Sequence, residues 1–400
     1  MENLLTGIAW NHSRAFPPLV AAAQRFEETH PGIQIRWSKR SLHEFGHADL
    51  ATLAGEFDMI VMDHPWIGKA FESGVLLALD ERLQRDVWSD WARNSVGCSF
   101  ESYVWQGRLF AVPIDGAAPV ASYRPDLLSA AGFEVPVTWQ DVLTLAKARL
   151  AVMPGHPVDV FINFLGLCAS RGGDLFQGDS KLVDREIGGA CLEQLQELIA
   201  YMPPEIFGWN PIEVYEQMAN SERLAYCPFA YGYSNYSRPQ FAQRQILFTN
   251  LVSLPDGRPI RSLLGGTGIG ISSRCRNAEV ALDYATYVAS PDCQKSLYFF
   301  AGGQPSHRAA WTDSTVNAMS GDFFLNTLRS MDEAWVRPRY AGYVPFQETA
   351  GVRLVRYLRE GGKQVSLWED LDRLYRESLG SRISSSSNDS TVLSTGVRSR

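Results

Sequence analysis

Three short polar clusters carry most of the side chains able to grip a small molecule. They are Trp10-Asn11-His12-Ser13-Arg14, Ser38-Lys39-Arg40 and Asp63-His64-Pro65-Trp66. The indoles of Trp10 and Trp66 offer flat apolar faces. Asp63, Arg14 and Arg40 offer paired acceptors and donors. His12 and His64 stand beside Arg14 and Asp63. A second set comprises Asp115 and an aromatic loop with Tyr231, Tyr233, Asn235 and Tyr236. Gly265 and Gly266 would admit close backbone approach. Ser306 and His307 follow a Gly-Gly-Gln-Pro turn. This equipment suits holding a polar solute. The basic subset His12, Arg14, Lys39 and Arg40 would suit an anionic one. Each residue also has a plainer use. Trp10 can be core packing, and the histidines structural. Asp63 can cap a helix, Asp115 can be a hinge hydrogen-bonding residue, the tyrosines can form an aromatic minicore, and Gly265-Gly266 can be a tight turn.

Catalytic patterns are missing. There is no G-x-S-x-G, no H-E-x-x-H and no phosphate loop, since Gly265 to Gly270 lacks a following Lys-Ser/Thr. Six cysteines occur, none in C-x-x-C or zinc-ligand spacing. No metal or cofactor is expected. Cys98 and Cys227 are the thiols to examine as nucleophiles, but neither has a histidine or carboxylate in a recognisable pairing.

The candidate residues need elements to position them. Leu4 to Trp10 reads as a buried strand. Pro17-Pro18 opens a helix with Leu19, Val20, Ala22, Ala23 and Phe26 on one face. His30-Pro31-Gly32 stops it, and Ile33, Ile35 and Trp37 alternate as a second strand. A helix is predicted over Ser41 to Leu53 and a third strand over Asp58 to Asp63. This order implies a parallel sheet covered by helices. Its strand carboxyl ends would bring the three polar clusters to one face. Gly107 to Asp115 reads as a further strand. Thr138 is placed to cap a helix over Gln140 to Arg149. Helices are also read at Leu127 to Ala131, Leu192 to Ile199, Ala278 to Ala289, Pro291 to Phe300 and Leu367 to Leu379.

A chain of 400 residues suits two domains. With 37 basic against 44 acidic residues the net charge is −7, which gives no reason to expect nucleic acid or anionic lipid as partner. No transmembrane span is expected. Met1 to Ile8 lacks the basic and long apolar regions of a signal peptide. Ser381 to Arg400 has the composition of a disordered tail.

The motifs come in a familiar order. "RFEETHPGIQI", Phe57 to Asp63, "GVLLALD" (Gly74 to Asp80), Gly107 to Pro113, Tyr123 to Leu128, "AGFEVPVTWQDVL" (Ala131 to Leu143) and Gly265 to Ile271 are collinear. This set resembles bacterial extracellular solute-binding proteins of the family 1 type. The resemblance implies a two-lobed α/β periplasmic-binding-protein-like fold, type II-like, with each lobe a sheet flanked by helices. It implies lobe one from 1–114 plus 263–310, lobe two from 115–262 plus 311–380, and a cleft at the hinge. It further implies a monomer that binds a carbohydrate or sugar derivative, closes on it and delivers it to an ABC transporter permease. Trp10 and Trp66 would then face the ring of a sugar, polyol or sugar acid. The family is periplasmic, while the N-terminus keeps a cytoplasmic sensor open. A cysteine-dependent enzyme on the same fold is the further alternative.

Overall fold

The computed structural model describes residues 3–42, 44, 49–178 and 180–386. Strand β1 (Asn3–Trp10) pairs in parallel with β2 (Ile33–Arg40) and with β3 (Met59–Met62). The helix Phe16–Thr29 makes the crossover from β1 to β2. Proline occupies its first turn, and Leu19, Ala22, Ala23 and Phe26 are buried along one face. A two-stranded ribbon, β4 (Val104–Trp105) and β5 (Arg108–Leu109), precedes β6 (Val112–Ala117). The strand expected over Gly107 to Asp115 is therefore broken. Phe110 and Ala111 leave the pairing to pass from the ribbon into the main sheet.

The next sheet is antiparallel, in the order β8-β7-β9, from β7 (Pro119–Tyr123), β8 (Tyr226–Tyr231) and β9 (Leu247–Thr249). The chain then returns as β10 (Gly265–Ile271), which completes the first sheet in the order β2-β1-β3-β10-β6. β10 runs antiparallel to both β3 and β6. The first sheet is thus mixed rather than wholly parallel. Only β1, β2 and β3 are joined by crossovers that enforce one direction; β10 arrives from the other half of the chain.

Two hydrophobic cores follow from the two sheets. One gathers Leu5, Ile60, Val112, Ile269 and Tyr284. The other gathers Val120, Phe164, Leu195, Phe248 and Leu354. Apart from Val96, which packs in the second core between Trp91 and Phe100 of the first, consecutive core residues change cluster between Ile114 and Ala118, between Leu264 and Ile269, and between Tyr298 and Phe299. The chain therefore passes from one core to the other three times.

The helix predicted after Thr138 spans Trp139–Lys147, and Thr138 forms a reciprocal capping box with Asp141. Of the helix predicted over Ser41 to Leu53, Leu42 and Glu44 are helical and Leu50–Glu56 forms a helix capped by Asp49. Residues 43 and 45–48 lie outside the described residues. Of the helices that had not been anticipated, three border the site: Pro157–Ser170, Pro211–Asn220 and Tyr343–Glu360. The last helix, Gln364–Ser386, extends past Leu379 into the stretch expected to be a tail. The rest of that stretch, 387–400, lies outside the described residues. Among the described residues no helix is long and apolar enough to cross a membrane.

Candidate functional site

A cavity of about 460 Å³ opens between the two cores. That volume is ordinary for a small-molecule site, where about 300–1,000 Å³ is usual. Trp10 ends β1 and Asp63 follows β3, so two adjacent parallel strands deliver them to the same wall. Asp63 does two jobs there. Its Oδ1 accepts from the His64 N–H at 2.9 Å and caps the short turn His64–Trp66, which presents Trp66 to the cavity. Its Oδ2 faces Arg337.

Arg337 is a residue that sequence reasoning missed. It is 4% exposed and lies outside every regular element. Its Nη2 donates to Asp63 Oδ2 at 2.5 Å, its Nε to the Leu264 carbonyl at 3.2 Å and its Nη1 to Gln347 Oε1 at 3.3 Å. Burial alone would raise the Asp63 pKa. Arg337 and His64 outweigh that and hold it at about 2. Burial also works against the Arg337 charge, and Asp63 outweighs it, so the guanidinium stays protonated.

A second buried pair floors the cavity. Arg14 lines it, and its Nε and Nη2 donate to the two oxygens of Asp115 at 2.8 and 2.5 Å. Nη1 donates to the Gly232 carbonyl at 2.9 Å. The guanidinium carbon lies 4.7 Å from the Tyr233 ring centre. Asp115 itself is 1% exposed and does not line the cavity. It holds Arg14 in place.

The basic cluster suggested by the sequence does not assemble in the cleft. His12 lies outside the lining. It packs edge-on to Tyr233 at 5.0 Å, and its Nδ1 accepts the Arg14 N–H at 3.0 Å. Burial, then the Arg14 charge, lowers its pKa to about 4, so it is neutral. Lys39 is exposed and lies over the Phe16 ring. Arg40 turns inward, and its Nη2 donates to the Val61 carbonyl at 3.1 Å. His64 is fully buried behind Asp63, and burial lowers its pKa to about 4 against the pull of Asp63. Tyr236 also misses the cavity. It sits in the second core with its hydroxyl donating to Glu216 at 2.7 Å.

Tyr231, Tyr233, Gly265 and Gly266 do line the cavity. Both glycines are required by packing. A Cβ on Gly265 would collide with the Tyr231 ring, and one on Gly266 would collide with the Asp115 carbonyl oxygen. Gly266 also has φ +97°, a conformation that side chains disfavour. Beside them Thr267 is 4% exposed, and its hydroxyl has no hydrogen-bond partner among the described residues.

The opposite wall comes from the three unanticipated helices. They contribute Asp159 and Ile162, Asn210 and Glu213, and Val344, Gln347 and Glu348. Signals for two of them exist in the sequence: His156-Pro157, and Asn210-Pro211 with Glu213 three residues after Asn210. Asn210 and Glu213 indeed form a capping box.

The profile of the bacterial extracellular solute-binding proteins matches residues 9–295. The chain belongs to this family. An arabinooligosaccharide-binding protein of Halalkalibacterium halodurans is 24% identical over 338 residues, covering 79% of this chain and 71% of that one. A probable amino-acid ABC transporter periplasmic-binding protein of Sinorhizobium fredii is 21% identical over 371 residues, covering 86% and 80%. Among solved structures, a Thermotoga lettingae ABC transporter solute-binding protein bound with α-D-tagatose superposes with a TM-score of 0.81. It is 19% identical and covers 94% of this chain and 100% of its own. The fold is therefore that of two-lobed solute-binding proteins, and the cavity lies between the lobes' two cores.

Neither thiol singled out as a possible nucleophile lines this cavity. Burial, with nearby acids, raises the Cys98 pKa, and burial pushes Cys227 up to about 12. Both shifts disfavour the thiolate, the reactive form.

Proposed function

We propose that the chain binds a small saccharide or polyol in this cavity and presents it to an ABC permease. The carrying observation is the composition of the wall. Aromatic faces from Trp10, Trp66 and Tyr233 stand beside Asp63, Asp159 and the orphan Thr267 hydroxyl. Rings bearing many hydroxyls need both: apolar planes for their C–H faces and fixed acceptors for their O–H groups.

The residues we assign to the ligand are Trp10, Arg14, Asp63, Trp66, Tyr231, Tyr233, Asp159, Thr267 and Arg337. The family's extracellular setting, the sugar-binding relative and the tagatose-bound fold neighbour favour the reading. The two sheets would act as lobes that close on the solute by hinge motion at the three core-to-core passages. We assign no chemistry to the site, since binding and release need no nucleophile.

A thermal-shift screen of sugars, polyols and sugar acids tests this. A true ligand at 100 times its Kd should stabilise the protein by about 2.7 kcal/mol. A panel in which no member raises the melting temperature would reject the reading.

A further inference from the structure

We infer that the solute carries a protonated amine, and that Asp159 receives it. This rests on the cavity between the lobes being a saccharide site and names the ligand class more narrowly. The cavity's charges are distributed unevenly. Its two guanidinium groups are each already matched: Arg14 by Asp115 at 2.5 Å and Arg337 by Asp63 at 2.5 Å. Among the described residues, Asp159, Glu213 and Glu348 add carboxylates on the opposite wall, Glu348 with a partner of its own, and His156 is the one other basic side chain in the lining. The anionic solute suggested by the basic residues near the N-terminus would meet repulsion here.

Asp159 is the pivotal group. It lies in the first turn of the helix Pro157–Ser170 and is 9% exposed. Among the described residues no other residue donates a hydrogen bond to its carboxylate; the His156 imidazole Nδ1 stands 3.8 Å away on a half-exposed side chain. Glu213 differs, because its carboxylate accepts the Asn210 N–H at 2.6 Å in the capping box. A buried carboxylate without donors is costly unless a ligand supplies them. An ammonium supplies three and offsets one negative charge of the wall.

Burial first, and then Glu213, lift the Asp159 pKa to about 7, with Arg337 opposing. Near pH 7 the unliganded site is therefore about half protonated, and an arriving ammonium would displace that proton. The groups facing Asp159 are His156 on its own helix, Glu213 on the helix Pro211–Asn220 and Arg337 in the loop beside them. Tyr231, Tyr233 and the Cys227 thiol also feel its charge.

The test is calorimetry with matched trios: glucose, glucosamine and glucuronate, and the galacto and arabino counterparts, with lysine and putrescine as amines that are not sugars. At least one amino sugar should bind about tenfold or more tighter than its neutral parent, because a charge-assisted hydrogen bond contributes more than a neutral one. In Asp159→Asn that ratio should fall to near one. Wild-type titrations in two buffers of different ionisation enthalpy should show proton release near pH 7 for the amine alone, a readout independent of the variant's folding. Neutral sugars binding as tightly as amino sugars, without proton release, would overturn the inference and leave saccharide binding intact. Binding of lysine or putrescine with no sugar bound would keep the amine and reject the saccharide. Silence across the panel would reject both.

Discussion

Arg337 Nη2 meets Asp63 Oδ2 at 2.5 Å, although 274 positions separate the two residues in the chain. The contact joins the carboxyl end of β3 to a loop packed on the second core, and it crosses the edge of the cavity. The Asp63 oxygen not used by Arg337 caps the turn that carries Trp66. One carboxylate thus both positions the turn that carries Trp66 and ties β3 to the Arg337 loop.

Replacing Arg337 by Met leaves a carboxylate facing the cavity without its cation. The expected cost is about 3 kcal/mol of unfolding free energy, as for other broken buried pairs. Adding Asp63→Asn should recover part of it. Urea unfolding of the single and double variants measures this, and additive losses would contradict the coupling.

Much of the wall formed by the first sheet was legible because its logic is local. Trp10, Asp63 and Trp66 follow apolar strand runs, and adjacent parallel strands must deliver such residues to one edge. The basic cluster was legible as sequence but not as structure. Arg14 went to Asp115, Arg40 to the Val61 carbonyl and Lys39 over Phe16, because each cation satisfied itself separately. The opposite wall was hidden for another reason. The helix Pro157–Ser170 is buried nearly all round, from Asp159 to Cys168. It therefore shows no polar stripe, and its Pro157 start was the only local cue. Arg337 had no cue at all, since its partners at 63, 264 and 347 are set by tertiary packing.

The pH dependence of stability should expose Asp159. His12 and His64 have folded pKa values of about 4 against 6.5. Their contribution is full above 6.5 and is lost as pH falls towards 4. Asp159 has the opposite sign. Its folded value, about 7 against 3.8, gives stability that is present below 3.8 and lost as pH rises through 7. Between pH 4.5 and 6 these groups leave the unfolded chain with a net surplus of one proton. The wild type should then gain about 1.4 kcal/mol per pH unit from them, and Asp159→Asn about 2.7. The variant should also be the more stable protein at pH 8. Denaturant midpoints at four pH values decide it; parallel curves would remove Asp159 from the account.

Gly266 should tolerate no side chain. Its φ of +97° brings strain, and the Asp115 carbonyl stands where an added Cβ would have to go. Gly266→Ala is expected to cost about 2 kcal/mol and to weaken ligand binding by displacing Asp115 and Arg14. Gly32→Ala is the matched control. Gly32 has φ +90° with nothing within 4 Å of an added Cβ, so it should show strain of about 1 kcal/mol and unchanged affinity.

Thr267 separates a ligand contact from a structural one. Its hydroxyl is buried at the cavity without a partner among the described residues, whereas its backbone N–H serves Asp115. An unpaired buried hydroxyl costs the folded state about 1–3 kcal/mol. Thr267→Val keeps the shape and the N–H while removing that hydroxyl. The unliganded protein should therefore melt at the same or a higher temperature, while affinity for the ligand falls about fivefold to tenfold through loss of one hydrogen bond. A core residue with no ligand role would show the first effect without the second. Paired calorimetry and thermal unfolding on this variant read both.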